Sequence, residues 1–537
     1  MGNTSSKVVE LIEKRFSNST SNFEIKFKNE YLFLKQHVNN EQRLSSSPKK
    51  QKKESHINQD DTLHHKLIIN PIKFKKRFER FGKWIKMIFP EENEINKSKT
   101  YNNNLGENIN VSSNTTKITF TKNLKKYYMN NKLKFHNRVS KGPPDSLRWI
   151  SWSILMNISE DYNNDIVYTT YLNEELNENV DTQIKKDLNR TLSEDNQYNE
   201  IITNDHNNTN KQNYIKEQAL YNVLRALANI DPVLGYCQGI NFIAGFLLKL
   251  SEYNETEVYY MLISLFSKSF DTNYHIRGFF IESFPLLYCY LYIFDNILIK
   301  ELPHLYNHIQ YLDVPKMAWI GKWIQTLFTI CLPFEMNIRV WDVLLSLDLY
   351  FIISFSISLI QSIEKHLMNL KDAFDFTEYL KNFFNSTNIS TSQEHYSINK
   401  GDESSMTYSP KHAMYLEDII HNAKKKHKVY KSKNYFVNLK QEYTQKVNSL
   451  GKYSIYYNLN ICSLKFSIGG NVINGLNNSF INYKTHFSEE EKIESSCDES
   501  STHNNIMNNN NDTDKEDNNA KKKKVVYNNM MDNKHNE

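Results

Sequence analysis

Between about residues 215 and 385, apolar residues recur at spacings of three and four, and this periodicity constrains the fold more than any other feature. Such spacing places apolar side chains along one face of an α-helix. A first stripe ends at Asp231-Pro232, where the proline breaks the helical pattern, and the next begins at Ile240. Alternation with a period of two, which indicates strands, is scarce. The sequence therefore predicts an all-α fold of several helices joined by short connections.

Charge and cysteine content exclude several classes of protein. The 537 residues include 66 Lys and Arg against 61 Asp and Glu, a formal net charge of +5. So small an excess argues against a strongly basic nucleic-acid-binding protein, and we expect no nucleic acid as a partner. The five cysteines are scattered without a C-x-x-C pair, which provides neither a zinc-site spacing nor a disulfide framework. We therefore expect no bound metal and a reducing, intracellular compartment.

The most apolar run extends from Val343 to Ile360 and contains Asp348 and several serines. Only about a dozen residues separate Asp348 from Gln361, whereas a helix that spans a bilayer needs about 20. We interpret the run as a buried helix.

Composition divides the chain into three parts. Residues 1–70 are polar and irregular, and we expect an extended N-terminal arm with no more than one short helix. Residues 71–385 form the predicted helical domain, with Asn-rich insertions near 91–115 and 193–213. Such surface insertions cost little free energy once they are long. Residues 386–537 are of low complexity, and we expect them to form a largely disordered, Asn-rich tail.

Residues 72–89 carry an apolar helical stripe opposite a basic face. The stripe comprises Phe74, Phe78, Phe81, Ile85 and Phe89. Such a helix could lie on a membrane surface. The alternative, which we favour, is a first helix that packs against the helical domain.

The first residues, MGNTSSK, match the N-myristoylation pattern at Gly2 and Ser6, although such a match also arises by coincidence. One myristoyl chain binds a membrane only marginally, so a second signal is required. Basic clusters at 49–53 and 73–86 could supply it electrostatically. We therefore expect lipidation at Gly2 and a cytoplasmic protein held peripherally on an intracellular or plasma membrane.

Two short polar segments could carry chemistry. In Ile184–Thr191, Asp187 and Arg190 are three residues apart and therefore neighbours on a helix surface. Taken alone, this spacing favours a surface ion pair over an arginine oriented for function.

The second segment, Leu234–Phe242, connects the Asp-Pro break to an apolar helix. Gly235 and Gly239 permit positive φ or close backbone approach, and Tyr236, Gln238 and Asn241 are polar groups at the same junction. Taken alone, the segment favours a tight turn with a buried polar plug. Cys237 has no adjacent base, so we interpret it as a packed side chain.

Taken together with three further motifs, these segments resemble the TBC domain family, whose members are GTPase-activating proteins for Rab GTPases. The resemblance covers residues 76–375. The matching residues, in chain order, are Arg80, Lys83 and Trp84; Gly142-Pro143-Pro144 with Arg148 and Trp152; Ile184, Asp187 and Arg190; Tyr236, Gln238 and Gly239; and Trp323, Leu327-Phe328, Leu332-Pro333 and Arg339-Val340-Trp341-Asp342. Ser346-Leu347-Asp348 departs from the acidic residue and glycine that commonly follow in the family.

The resemblance implies two catalytic residues. Arg190 corresponds to the arginine that family members insert into the GTPase, where it stabilises charge on the transferred γ-phosphoryl group. Gln238 corresponds to the glutamine that orients the attacking water. The resemblance also implies that Asp187 orients Arg190.

Four further residues have supporting roles by the same resemblance. Tyr236, Gly235 and Gly239 would shape the loop that presents Gln238, and Arg148 would pair near the active face as a structural residue.

The resemblance implies an activator of a Rab-family GTPase in its GTP state, which regulates vesicle trafficking. GTP and Mg²⁺ belong to that partner, so we expect no cofactor and no self-contained reaction. The alternative is a non-catalytic TBC scaffold that binds a Rab or another partner at a membrane. A helical membrane adaptor is a third interpretation, but it leaves both finger motifs unexplained.

Overall fold

The computed structural model describes residues 21–46, 74–90, 113–158, 166–202, 206–267, 276–382 and 410–449. Within these ranges every regular element is a helix, which confirms the predicted all-α class. The described helices of the N-terminal half are α1 (Asn22–Ser46), α2 (Phe74–Ile88), α3 (Ser113–Asn130), α4 (Lys132–Val139), α5 (Asp145–Leu155), α6 (Ile166–Asn173), α7 (Glu178–Ile202), α8 (His206–Ile230) and α9 (Ile240–Leu250).

The C-terminal half continues the same architecture, with two short 3₁₀ turns at Ile276–Phe279 and Lys316–Ala318. Its described helices are α10 (Glu255–Ser267), α11 (Pro285–Glu301), α12 (Pro303–Tyr311), α13 (Ile320–Gln325), α14 (Phe334–Ser346), α15 (Phe351–Leu367), α16 (Ala373–Asn382), α17 (Pro410–Ser432) and α18 (Tyr435–Asn448).

Helix α15 lies in the core, and all of its residues from Phe351 to Ile360 are buried. The apolar run at Val343–Ile360 is therefore buried, as predicted, but it is divided between the end of α14 and the start of α15. Asp348 lies at the break, where its Oδ1 accepts a hydrogen bond from the Tyr350 amide at 3.1 Å. None of the helices in the described ranges combines the length and the apolarity that a bilayer span requires.

Helix α2 packs against the helical domain, which confirms the second of the two alternatives for residues 72–89. Its Phe81, Trp84, Ile85 and Ile88 are buried. The Trp84 ring contacts Phe135 of α4 with ring centroids 5.7 Å apart. The basic face of α2 remains at the surface.

Helix α1 is longer than the short helix expected within residues 1–70. Phe27, Tyr31 and Leu34 are buried at helical spacing against the domain. The Glu30 carboxylate accepts hydrogen bonds from the Asp145 amide at 2.9 Å and the Ser146 amide at 3.1 Å, which caps the start of α5. Part of the arm is therefore an integral layer of the fold. Gly2 and the basic cluster at 49–53 lie outside the described residues.

Helices α17 and α18 occupy part of the region that was expected to be a low-complexity tail. Helix α17 lies along α15, and α18 packs on α11. Four side chains of α17 share a buried stripe: Leu416, Ile419, Ile420 and Ala423. Tyr443 of α18 is fully buried and contacts Tyr292 with ring centroids 5.7 Å apart. Helical packing thus continues past residue 385 to about residue 448.

The two Asn-rich insertions differ. Most of the insertion near 91–115 lies outside the described residues, and α3 begins at its end. The described backbone within 193–213 is helical, because α7 extends to Ile202 and α8 starts at His206. Helix propagation costs little once a packed segment has nucleated the helix, so polar residues can continue these two helices.

Candidate functional site

Helix α7 positions the first polar segment. The Asn177 side chain caps its start, because Oδ1 accepts hydrogen bonds from the Asn179 amide at 3.0 Å and the Val180 amide at 3.4 Å. Ile184 and Leu188 are buried and hold one face of the helix against the core. The candidate charged residues lie on the adjoining side of the helix, where Asp187 is buried and Arg190 is exposed.

Asp187 and Arg190 form an ion pair on α7, as their spacing predicts. The Arg190 side chain is 43 % exposed, whereas that of Asp187 is only 10 % exposed. The guanidinium group is therefore accessible to another molecule while a nearly buried carboxylate holds it.

Tyr236 connects α7 to the loop that follows α8. Its Oη donates a hydrogen bond to Asp187 Oδ2 at 2.5 Å. Burial and the Asp187 carboxylate raise the pKa of the Tyr236 phenol, so the hydroxyl remains protonated and keeps donating. The same carboxylate therefore orients Arg190 and fixes the loop.

The base of this loop is fixed by a buried ion pair that the sequence analysis missed. Arg277 Nε and Nη2 donate to the two Asp231 carboxylate oxygens at 2.6 and 2.9 Å. Asp231 Oδ1 also accepts from the Leu234 amide at 3.1 Å. The Asp231-Pro232 pair signalled only a helix end, and no sequence signal connected it with Arg277.

The loop requires glycine at two positions. Gly235 has φ +52°, and Gly239, immediately before α9, has φ +116°. A Cβ atom at Gly239 would lie 3.2 Å from the Phe280 ring. Gln238 lies between them and is exposed, so the loop presents its amide at the surface.

A second connection between α7 and the loop passes through Asn241 and Thr191. Asn241 is fully buried, and its Oδ1 accepts from the Gly239 amide at 2.9 Å. Its Nδ2 donates to Thr191 Oγ1 at 2.7 Å, and Thr191 Oγ1 donates to the Asp187 carbonyl at 2.6 Å. The sequence analysis noted Asn241 at the junction and did not single out Thr191. The available sequence signal was the polar side chain of Asn241 within an otherwise apolar helical segment.

Arg148 lies elsewhere, in a buried ion pair between α5 and α14. Its Nε donates to Asp342 Oδ1 at 3.2 Å, and its Nη1 pairs with Asp145. Trp152 Nε1 donates to the same Asp342 oxygen at 2.9 Å. Burial raises the pKa of Asp342 to about 6 although Arg148 opposes that shift. These contacts support a packing role.

Cys237 is half-buried, and burial together with the Asp187 charge raises the pKa of its thiol to about 11. The thiol is therefore protonated at neutral pH and a poor nucleophile, in agreement with a packed side chain. In the part of the chain that the structure describes, no three His, Cys, Asp or Glu side chains are grouped as metal ligands.

The arrangement presents one guanidinium and one carboxamide on neighbouring segments joined by buried hydrogen bonds. Arg190 offers a planar set of donors suited to phosphate oxygens, and Gln238 can both donate and accept. Such a pair can act on a phosphate-bearing group that another molecule carries.

Several known proteins are similar to part of this chain. The model of the Rab-GTPase-TBC domain matches residues 145–368. The GTPase-activating protein GYP5 of Eremothecium gossypii is 29 % identical over 270 residues, which cover 49 % of this chain and 29 % of that protein. The Rab GTPase-activating protein eat-17 of Caenorhabditis elegans is 27 % identical over 232 residues, 43 % of this chain and 24 % of that protein.

This chain therefore spans less than a third of the length of either relative. Among solved structures, the Ypt/Rab-GAP domain of Gyp1p is 16 % identical, with a TM-score of 0.40 over 56 % of this chain and 94 % of that chain. The match to the family model agrees with the resemblance inferred from the ordered motifs, and residues 145–368 of this chain are similar to the Rab-GTPase-TBC domain.

Proposed function

We propose that this chain is a GTPase-activating protein for a Rab-family GTPase in its GTP state. The observation that carries the proposal is the pair of exposed side chains, Arg190 and Gln238, on segments joined through the buried Asp187–Tyr236 hydrogen bond. Relatives named as GTPase-activating proteins support the same activity.

Each side chain has a distinct chemical task in this proposal. Arg190 enters the GTPase and stabilises negative charge on the transferred γ-phosphoryl group, and such an arginine accelerates hydrolysis by about 10³–10⁵-fold. Gln238 orients the attacking water through its amide. Asp187 holds the guanidinium in the conformation that enters the partner, so less conformational entropy is lost on binding.

GTP and Mg²⁺ are bound by the partner, and this chain contributes side chains and no cofactor of its own. Hydrolysis returns the Rab to its GDP state and thereby ends a step of vesicle trafficking.

We also propose that myristoylation at Gly2, with basic segments as the second signal, holds the protein peripherally on a membrane. Labelled myristate should enter the wild-type chain during synthesis and should be absent from a Gly2→Ala variant. Equal labelling of both chains would contradict this proposal.

The decisive experiment measures GTP hydrolysis by a panel of GTP-loaded Rab proteins with the full chain. We expect acceleration of at least one Rab, and a loss of at least about 10²-fold in both Arg190→Ala and Gln238→Ala. Arg190→Lys is the matched variant, because it keeps the charge and loses the planar donor set. It should remain strongly impaired.

No acceleration of any Rab would overturn the proposed activity. Binding of a GTP-loaded Rab without acceleration, unchanged by either substitution, would instead establish the non-catalytic scaffold.

A further inference from the structure

Residues 108–144 contain no Asp or Glu but eight Lys or Arg. The described part of this stretch forms α3, α4 and the turn before α5. We call residues 122–138, where α3 meets α4, the basic corner. An uncompensated charge of one sign on one part of a surface favours a partner of opposite charge.

The basic corner is firmly fixed from within. Leu124 and Phe135 are fully buried, and Phe135 packs against Trp84 of α2. The Asn131 amide donates to the Tyr128 carbonyl at 3.1 Å, which closes the junction between the two helices. The outward side chains are therefore presented by a folded element.

Two large apolar side chains point outward at this corner. Met129 is 64 % exposed and Leu133 is 77 % exposed. Their exposure contributes little to folding, since the hydrophobic gain depends on the area removed from water. Four lysines of the same corner are also exposed, namely Lys122, Lys126, Lys132 and Lys134.

Neighbouring cations are not neutralised within the described residues. Of the eight basic residues, only Lys117 forms an ion pair there, with Glu257 at 2.8 Å. Arg138 Nη1 donates to the Lys83 carbonyl at 3.3 Å, which brings the corner against the basic face of α2. The positive surface therefore continues from α4 onto α2.

We propose that the basic corner is a docking surface for an anionic lipid bilayer, into which Met129 and Leu133 insert. Exposed apolar side chains in the same short stretch as exposed lysines match the boundary between acyl chains and anionic headgroups. An acidic protein or a nucleic acid would account for the lysines but not for the two apolar side chains. The proposal deepens the membrane placement proposed above, and it does not depend on acylation at Gly2.

The test uses the full chain made without myristoylation, so that Gly2 cannot contribute. Sedimentation with vesicles of phosphatidylcholine containing 30 % phosphatidylserine is compared with sedimentation with pure phosphatidylcholine. We expect binding only to the anionic vesicles, about tenfold weaker for the double variant Met129→Ser with Leu133→Ser. In the double variant Lys132→Glu with Lys134→Glu, the affinity for the anionic vesicles should fall by about fivefold or more for each lysine replaced.

Phe374→Ser is the matched control, because Phe374 of α16 is 73 % exposed and lies outside the basic corner. It should bind like the wild type. All altered side chains are exposed, so circular dichroism should remain unchanged and stimulation of a soluble Rab should be retained.

Equal binding by the wild type and the apolar double variant would overturn the proposal. Such a result, with loss in the charge variant, would show that charge alone holds the corner to the bilayer and that Met129 and Leu133 do not insert. Equal binding to both kinds of vesicle would overturn it as well.

Discussion

At the scale of single residues, Asp187 is the group on which the candidate site depends. It pairs with Arg190 on its own helix and accepts the hydrogen bond of Tyr236 from the loop. Because this carboxylate is nearly buried, its two partners satisfy charge and hydrogen-bonding demands that water would otherwise meet. Removal of either partner should therefore affect both segments.

Tyr236→Phe tests this connection. The substitution removes one hydrogen bond to a carboxylate, so we expect the free energy of unfolding to fall by about 1.5–3 kcal/mol. Stimulation of Rab GTP hydrolysis should fall by between about tenfold and a hundredfold, because Arg190 and Gln238 lose their fixed relation. Urea unfolding and single-turnover hydrolysis measure the two effects. Tyr311→Phe, at a tyrosine 84 % exposed, should change neither.

Gly239→Ala tests the loop backbone. A residue with a Cβ is strained at φ +116°, and the new atom would press on Phe280, so we expect a cost of about 1–3 kcal/mol. Displacement of Gln238 should lower the stimulated rate as well. Gly82→Ala is the matched control: no atom lies within 4 Å of its Cβ position, and alanine should stabilise α2 by about 0.8–1.0 kcal/mol. Equal unfolding midpoints for the two variants would contradict the requirement for glycine at position 239.

Local spacing predicts only part of the candidate site. The Asp187–Arg190 pair follows from helix periodicity, whereas the approach of Tyr236 to Asp187 depends on how α7 packs beside the loop. Family resemblance supplied that long-range information. The Thr191–Asn241 hydrogen bond was missed, because the position of Asn241 inside an apolar helix indicates a polar partner but does not identify it as Thr191.

At the scale of elements, α1 and α5 depend on each other through Glu30. Both carboxylate oxygens accept hydrogen bonds at the start of α5, including one from Ser146 Oγ at 2.9 Å. In Glu30→Gln, an NH₂ group replaces one carboxylate oxygen. A hydrogen-bond donor then faces the donors at the start of α5. We expect a loss of about 1–3 kcal/mol in thermal or urea unfolding. Glu79→Gln, at an exposed position of α2, should be nearly neutral, and an equal loss there would refute the specific cap.

Lys424 of α17 predicts a pH dependence. Burial lowers its pKa to about 8 in the folded protein, assisted by repulsion from Arg339, Lys141 and Arg80 and opposed by Glu417. Between pH 8 and about 10.5 the unfolded chain therefore binds a proton that the folded chain lacks. Its contribution to the free energy of unfolding rises with pH across that window.

Urea midpoints at pH 8, 9 and 10 measure this contribution as the difference between the wild type and Lys424→Gln. In Lys424→Gln, the part of the free energy of unfolding that rises with pH in the wild type because of Lys424 should be absent. Lys425→Gln, at an exposed neighbouring position, should retain it. A pH profile of the urea midpoint for Lys424→Gln that runs parallel to that of the wild type would contradict the prediction.

The helices that sequence analysis missed have narrow apolar stripes among many charged residues. In α17 the buried positions Leu416, Ile419 and Ala423 are followed by the run Lys424-Lys425-Lys426, which suggests a solvated segment. Tertiary packing against α15 stabilises the helix there, and a single sequence does not contain that information directly. The core helices were easier to predict, since their apolar residues dominate.

At the scale of the whole molecule, α17 and α18 cover part of the core formed by α11 and α15. A fragment of residues 21–385 keeps α1 but lacks these two helices, and it exposes apolar surface that they bury. We expect it to aggregate or to unfold at a lower temperature than a fragment of residues 21–449. Size-exclusion chromatography and calorimetry compare the two. Identical stability would show that the C-terminal helices contribute nothing to the core.

Charge is distributed unevenly over the molecule. The formal net charge of +5 is smaller than the charge of the eight cations between residues 108 and 144. The rest of the chain is therefore net negative, and positive charge is concentrated in this stretch. A negatively charged surface attracts that part of the molecule, and the attraction rotates it forward before contact. The chain should thus approach such a surface in a preferred orientation, so that fewer encounters are wasted.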